Sequence, residues 1–148
     1  MKKYNYRTAK ETIDRICEAA KNGVYDTRDR FMSMLDENPH IAVQGYNAYG
    51  KIFFWNPASS HLYGWSEHAA INKELFELIL PPDLRAFARD MVLAARRTGK
   101  TPEASSCDLL QHNGDLVTVY SGHVIFQWDE GTEPEFYCID LAINPATA

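Results

Sequence analysis

Hydrophobic positions recur at helical spacing twice in the first part of the chain. Ile13, Ile16, Cys17 and Ala20 fall on one face of a segment that opens at Thr8, with Glu11 three residues later in the form of a capping box. Asn22-Gly23 closes it. A second predicted helix starts at about Asp26, carries Phe31, Met34 and Leu35 on one side, and ends before Asn38-Pro39, because the residue preceding a proline is pushed out of helical space. Helices this short are marginal alone. Their apolar stripes must lie on the domain's own sheet or on a second copy of the chain, and Phe31, Met34 and Leu35 are the candidates for a dimer contact.

From residue 41 the pattern changes to two β-like runs, IAVQGY and KIFFW, separated by Asn47-Ala48-Tyr49-Gly50, whose Asn and Gly suit a tight reversal. Pro57 ends that hairpin by removing a backbone N–H, and Asn56 can cap the helical turn after it. Leu62 and Tyr63 supply that short turn, Gly64 resets the backbone, and Ser66-Glu67 opens another helix with an acidic residue at its positive end. After Pro81-Pro82, Leu84, Phe87, Ala88, Met91, Val92 and Ala95 share one helix face, with arginines opposite and Gly99 as the stop. Three strands, over about 104–111, 116–128 and 135–143, form an antiparallel meander divided by turn-rich segments. The predicted closure is an α+β domain: a five-stranded antiparallel sheet with helices on one face, preceded by N-terminal helices.

At 148 residues the chain has room for one core. Its 45% hydrophobic and 24% charged residues are ordinary for a globular domain, and no apolar run is long enough to span a bilayer. The start MKKYNYRTAKETIDR lacks the apolar stretch of a secretory leader, so a cytoplasmic location is expected. Cys17, Cys107 and Cys138 are odd in number and lack C-x-x-C spacing, which points to reduced thiols rather than disulfides or zinc. The formal charge of −5 leaves nucleic-acid binding to a local basic stripe; the best one, Arg85, Arg89, Arg96, Arg97 and Lys100, is the wet side of an amphipathic helix. Motifs for serine hydrolases, zincins and phosphate loops are absent, and no enzyme is expected.

The order of elements, with FFWNPASSHLYGWSE, NKELFELILPPDLR, HNGDLVTVYSGHVIF and EFYCIDLAI, resembles the PAS sensory-box family over about residues 36–143. The resemblance implies an N-terminal helical extension over 1–35, a PAS-like domain over 36–143 and a tail over 144–148. It places a pocket between sheet and helices, but the fold hosts many ligands, so each cofactor is tested on residues. The light-oxygen-voltage subgroup needs an Asn-Cys pair where this chain has INKELFELI, with Leu75 near the cysteine position. Haem sensors use a histidine on the long helix, which here offers only Met91. The cofactor stays unknown, with flavin lacking the cysteine still open. The ending DLAINPATA departs from the family's Asp-Ile-Thr-like exit, so the chain reads as a trimmed sensor module or a free-standing PAS protein.

Alignment with PAS strands turns Val117, Val119, Ser121, His123 and Ile125 toward the helices, and Phe136, Cys138, Asp140 and Ala142 on the last strand likewise. One register slip would reverse every side chain. The candidate cofactor- or ligand-binding residues are Trp65, Met91, Cys107, Ser121, His123 and Asp140. If His123 and Asp140 pair, the imidazole pKa rises and the carboxyl pKa falls, giving a polar anchor or a pH-sensitive latch; otherwise each satisfies the backbone or another group. The implied function is a sensory module in signal transduction. It would respond to a small ligand or a partner and signal through a homodimer or an output domain of histidine kinase or GGDEF (diguanylate cyclase) type. The alternatives are a ligand-free PAS interaction module, or a cone-fold enzyme of ketosteroid-isomerase type with His123 as general base and Asp140 as its orienter.

Overall fold

The computed structural model describes residues 2–145; residues 146–148 of the expected tail lie outside them. Within the described residues, α1 (Tyr6–Lys21) and α2 (Arg28–Glu37) precede a hairpin, β1 (Ala42–Tyr46) and β2 (Ile52–Trp55). Four helices come next: α3 (Pro57–Tyr63), α4 (Glu67–Ala70), α5 (Leu75–Ile79) and, after a 3-10 turn at Pro82–Leu84, α6 (Arg85–Thr98). The chain closes with β3 (Ser105–Leu110), β4 (Leu116–Phe126) and β5 (Glu135–Ala142). The strands make one antiparallel sheet in the order β2-β1-β5-β4-β3. The last strand thus lies between β1 and β4, where both its edges are paired.

Asn56 makes the exit from β2 possible. Its Oδ1 accepts from the Val43 and Ser59 amides at 2.9 and 3.0 Å, and its Nδ2 donates to the Ile41 carbonyl at 2.8 Å. One buried side chain therefore caps α3 and ties it to β1. Gly64, at φ +82°, ends α3 in the left-handed region, and the chain crosses to α4. Beyond α4 the chain returns along the outside of β2, where Ile52 N–H donates to the Lys73 carbonyl at 2.9 Å and Leu75 N–H to the Gly50 carbonyl at 2.8 Å. That return covers part of an otherwise open sheet edge.

The sheet has a core on each face. Beneath α3 to α6, Tyr46, Trp55, Phe76, Val119 and Phe136 belong to one. On the opposite face, α1 and α2 lay Ala9, Ile13, Ile16, Phe31 and Met34 on Tyr120, Val124, Tyr137 and Ile139. Phe31 is fully buried, its ring centroid 4.9 Å from those of both Phe126 and Tyr137. Of the two coverings open for the N-terminal stripes, the fold uses its own sheet; Phe31 and Met34 are spent inside the chain instead of facing a second copy. α1 seats closely because β4 has Gly122 beneath it: a Cβ there would meet Cys17 Sγ and Ile13 Cγ2, each at 2.6 Å.

The start of α1 differs from expectation. Asn5, not Thr8, is the cap, its side chain accepting from Thr8 N–H at 2.8 Å, so Thr8 and Glu11 lie inside the helix and form no capping box. Asn outcompetes the later Thr because the helix gains a turn that places Tyr6 edge-on to Tyr120. The basic stripe of α6 is partly engaged within the chain: Arg89 pairs with Glu74, Arg96 with Glu133, and Arg85 donates to the Leu80 carbonyl. No helix among the described residues is long and apolar enough to cross a membrane.

Candidate functional site

A cavity of about 430 Å³ lies between the sheet and the helical roof. α5 contributes Leu75, Phe76 and Ile79; α6 contributes Ala88, Met91, Val92 and Ala95. Leu84 and Phe87 also border it, yet remain 43% and 66% exposed. They are the apolar rim of its mouth, where the α6 stripe runs past the edge of the core.

The floor is where the polar groups are. Ser121 and His123 from β4, Cys138 and Asp140 from β5, and Cys107 from β3 all line the cavity. The alternation expected for β4 and β5 is the one observed, with Gly122 turned to α1 and its two neighbours turned inward. Ser121 stands opposite Asp140 and His123 opposite Cys138 across the strand pair.

That register separates the two titratable groups. Asp140 is fully buried, and its Oδ2 accepts from Tyr63 Oη at 2.7 Å. Burial raises its pKa from 3.8 to about 6, against the partial relief given by the nearby Ser121, Tyr63 and Gln44 side chains. Oδ1 has no hydrogen-bond partner among the described residues. His123 Nδ1 lies 3.5 Å from Cys138 Sγ, which in turn lies 3.5 Å from Tyr46 Oη. Desolvation lowers the His123 pKa from 6.5 to about 4, so the imidazole is neutral at physiological pH. Both shifts run opposite to those expected of a His–Asp ion pair. Burial, unopposed by a countercharge, sets them. The catalytic pairing of a cone-fold enzyme, with Asp140 orienting His123, is not formed.

A model of the PAS fold matches residues 30–131, more than half of the chain. The chain belongs to the PAS family. The likeness extends to solved structures, at identities that speak for the fold alone. A PAS domain from Colwellia psychrerythraea is 21% identical, with a TM-score of 0.62 over 76% of this chain and 93% of that one. The PAS domain of Bordetella pertussis BvgS is 18% identical, with a TM-score of 0.60 over 77% and 85%. The PAS domain of the Cronobacter turicensis RpfR quorum-sensing receptor, in complex with C12:0, is 17% identical, with a TM-score of 0.55 over 71% and 95%. No curated protein matches the chain.

Within this PAS domain, five of the six residues singled out from the sequence, Met91, Cys107, Ser121, His123 and Asp140, border this cavity. Trp65 does not. Its carbonyl accepts from Trp55 Nε1 at 3.0 Å and its ring stacks on His112 at 3.8 Å between centroids, outside the cavity wall. The Gly64 break turns it away, and the Gly-Trp step serves the crossover instead. Leu75 and Met91, the positions weighed for flavin and haem chemistry, are both lining residues. Tyr63 and Gln44 went unnoticed in the sequence. Gln44 had a signal: it alternates with Ala42 and Tyr46 on the inward face of β1, a polar residue where an apolar one is expected. The buried thiols are held protonated, Cys107 with its pKa raised to about 12 and Cys138 well above its ordinary value, by desolvation first. Among the described residues no cluster of three or more His, Cys, Asp or Glu could hold a metal ion.

Proposed function

We propose that this PAS domain is a sensor that takes a small, largely apolar molecule into the cavity between α5, α6 and the sheet, and passes the resulting change to a dimer partner or an attached output domain. The observation that carries this reading is the cavity itself: about 430 Å³, apolar on walls and rim, with a few polar groups converging on its floor. Specific small-molecule sites share that build, in which hydrocarbon area supplies affinity and a few polar atoms fix orientation. Support also comes from the Cronobacter turicensis RpfR domain, of related fold, which is in complex with C12:0. Signalling is then a population shift: a ligand biases the packing of roof on sheet only by its difference in affinity for the two arrangements. A histidine kinase or a diguanylate cyclase is the type of output domain this reading supplies.

The test is denaturing extraction of the purified protein followed by mass spectrometry, with an Ala88→Trp variant beside it to fill the cavity from α6. A molecule retained by the natural sequence and lost from the variant supports the sensor. Equal, empty extracts from both, with no tightening of the fold by any added apolar compound, turn the reading toward a ligand-free interaction module.

A further inference from the structure

Resting on that reading, the geometry points to the polar end of the ligand: we infer that the cavity takes a molecule whose head group donates a hydrogen bond, an alcohol or an amine on an apolar body, and rejects the corresponding carboxylate. Asp140 carries the inference. It is fully buried, lines the cavity floor, and spends one oxygen on Tyr63 while Oδ1 has no donor among the described residues. The groups beside it are neutral: Gln44 Nε2 donates to Ser59 Oγ at 2.9 Å, and the Ser121 hydroxyl stands across the strand pair, so neither brings a countercharge to the carboxylate. A buried carboxylate oxygen without a donor costs free energy that a hydroxyl or ammonium group placed against it recovers.

The rest of the lining argues the same way. Among the described residues around the cavity none is Lys or Arg, and α5 and α6 face it with apolar side chains. His123, the single basic side chain in that lining, is neutral because burial holds its pKa near 4. An anionic head group would therefore enter a desolvated space beside Asp140 with no cation to meet it. An ammonium group would supply the countercharge that the floor lacks, and a hydroxyl would supply the donor.

Three probes with the same ten-carbon chain, 1-decanol, decylamine and decanoate, separate the head groups when titrated calorimetrically into the full chain at pH 7.5, below their micelle concentrations. Decanol and decylamine are expected to bind at least about tenfold more tightly than decanoate, one charge-assisted contact's worth of affinity. Asp140→Asn is expected to weaken decylamine and strengthen decanoate, because the amide both removes the negative charge and offers an N–H. Should the variant fail to fold, the natural chain answers through pH. The phenols of Tyr46 and Tyr63 and the thiols of Cys107 and Cys138 stay protonated, and His123 stays neutral, between pH 5 and 7.5. Decylamine affinity is then expected to fall severalfold toward pH 5 while that of decanol holds. Decanoate binding as tightly as decanol overturns the head-group assignment and leaves the cavity as the site. Binding of none of the three removes the site itself.

Discussion

Replacing Asp140 by Asn is the most incisive test of how the cavity floor is built. In the unfolded chain the carboxyl loses its proton near pH 3.8, and in the native chain only near 6. Between those values the native state binds the extra proton, so this group's contribution is complete below pH 3.8 and is lost as pH rises toward 6. About 2 pH units at about 1.4 kcal/mol each give a loss of roughly 3 kcal/mol at neutral pH. His123 runs the other way. The unfolded chain takes up its proton near 6.5 and the native chain near 4, so stability is complete above 6.5 and falls by a similar roughly 3 kcal/mol on acidification. Across pH 4 to 6.5 the two contributions offset one another, and the natural protein hides both.

Asn keeps the shape of the side chain and an acceptor for Tyr63 Oη, while abolishing the titration. Urea denaturation of both proteins at half-unit steps from pH 3.5 to 7.5 gives the stability difference directly, and groups elsewhere cancel from it. The variant is expected to gain about 3 kcal/mol relative to the natural chain over that range, with half of the change near pH 5. A difference that stays level with pH would mean that the carboxyl titrates as it does in water, and the account of a desolvated floor beside a donor-seeking oxygen would be wrong.

Two further substitutions probe the opposite face of the sheet. Gly122→Ala places a methyl group where Ile13 and Cys17 already touch the backbone of β4, and is expected to cost about 1–3 kcal/mol and to speed amide hydrogen exchange along α1; unchanged protection of α1 would contradict the close seating. Phe31→Ala removes the centre of an aromatic cluster, with an expected cost of about 3–5 kcal/mol in denaturant unfolding and no change of mass by light scattering; a loss of subunit association at unchanged unfolding free energy would return Phe31 to an interface.

The sequence made the fold legible where one residue type has one structural use. Pro57 after Asn56, Gly64 and Gly99 each stop an element for a reason that holds in any context, and α3 and α6 end where those residues say. Strand alternation did the same for the floor: once β4 was known to turn Ser121 and His123 inward, β5 had to present Cys138 and Asp140 beside them. Caps were harder to place. Asn5 and Thr8 are both competent to start α1, and contacts remote in sequence favour the earlier start: Tyr6 meets Tyr120, and Tyr4 N–H donates to the Ala142 carbonyl at 2.8 Å.

Which groups meet on the floor was the part that alternation could not supply, since it fixes the face a side chain points to and leaves open its partner along the strand and across the layer. Two inward titratable residues on adjacent strands invite the idea of a pair, but pairing needs them opposite one another, and the register sets Ser121 against Asp140 and His123 against Cys138. Asp140 finds its donor in Tyr63, on a helix that the chain reaches only by leaving the sheet at Asn56. Because the Tyr63 phenol is a neutral donor, it satisfies one oxygen without cancelling the charge, and desolvation rather than ion pairing then governs the titration of both Asp140 and His123. The same separation leaves a cavity-lining carboxylate whose Oδ1 has no donor among the described residues, so the selectivity proposed for the ligand's head group and the pH response expected of the fold have a single structural origin.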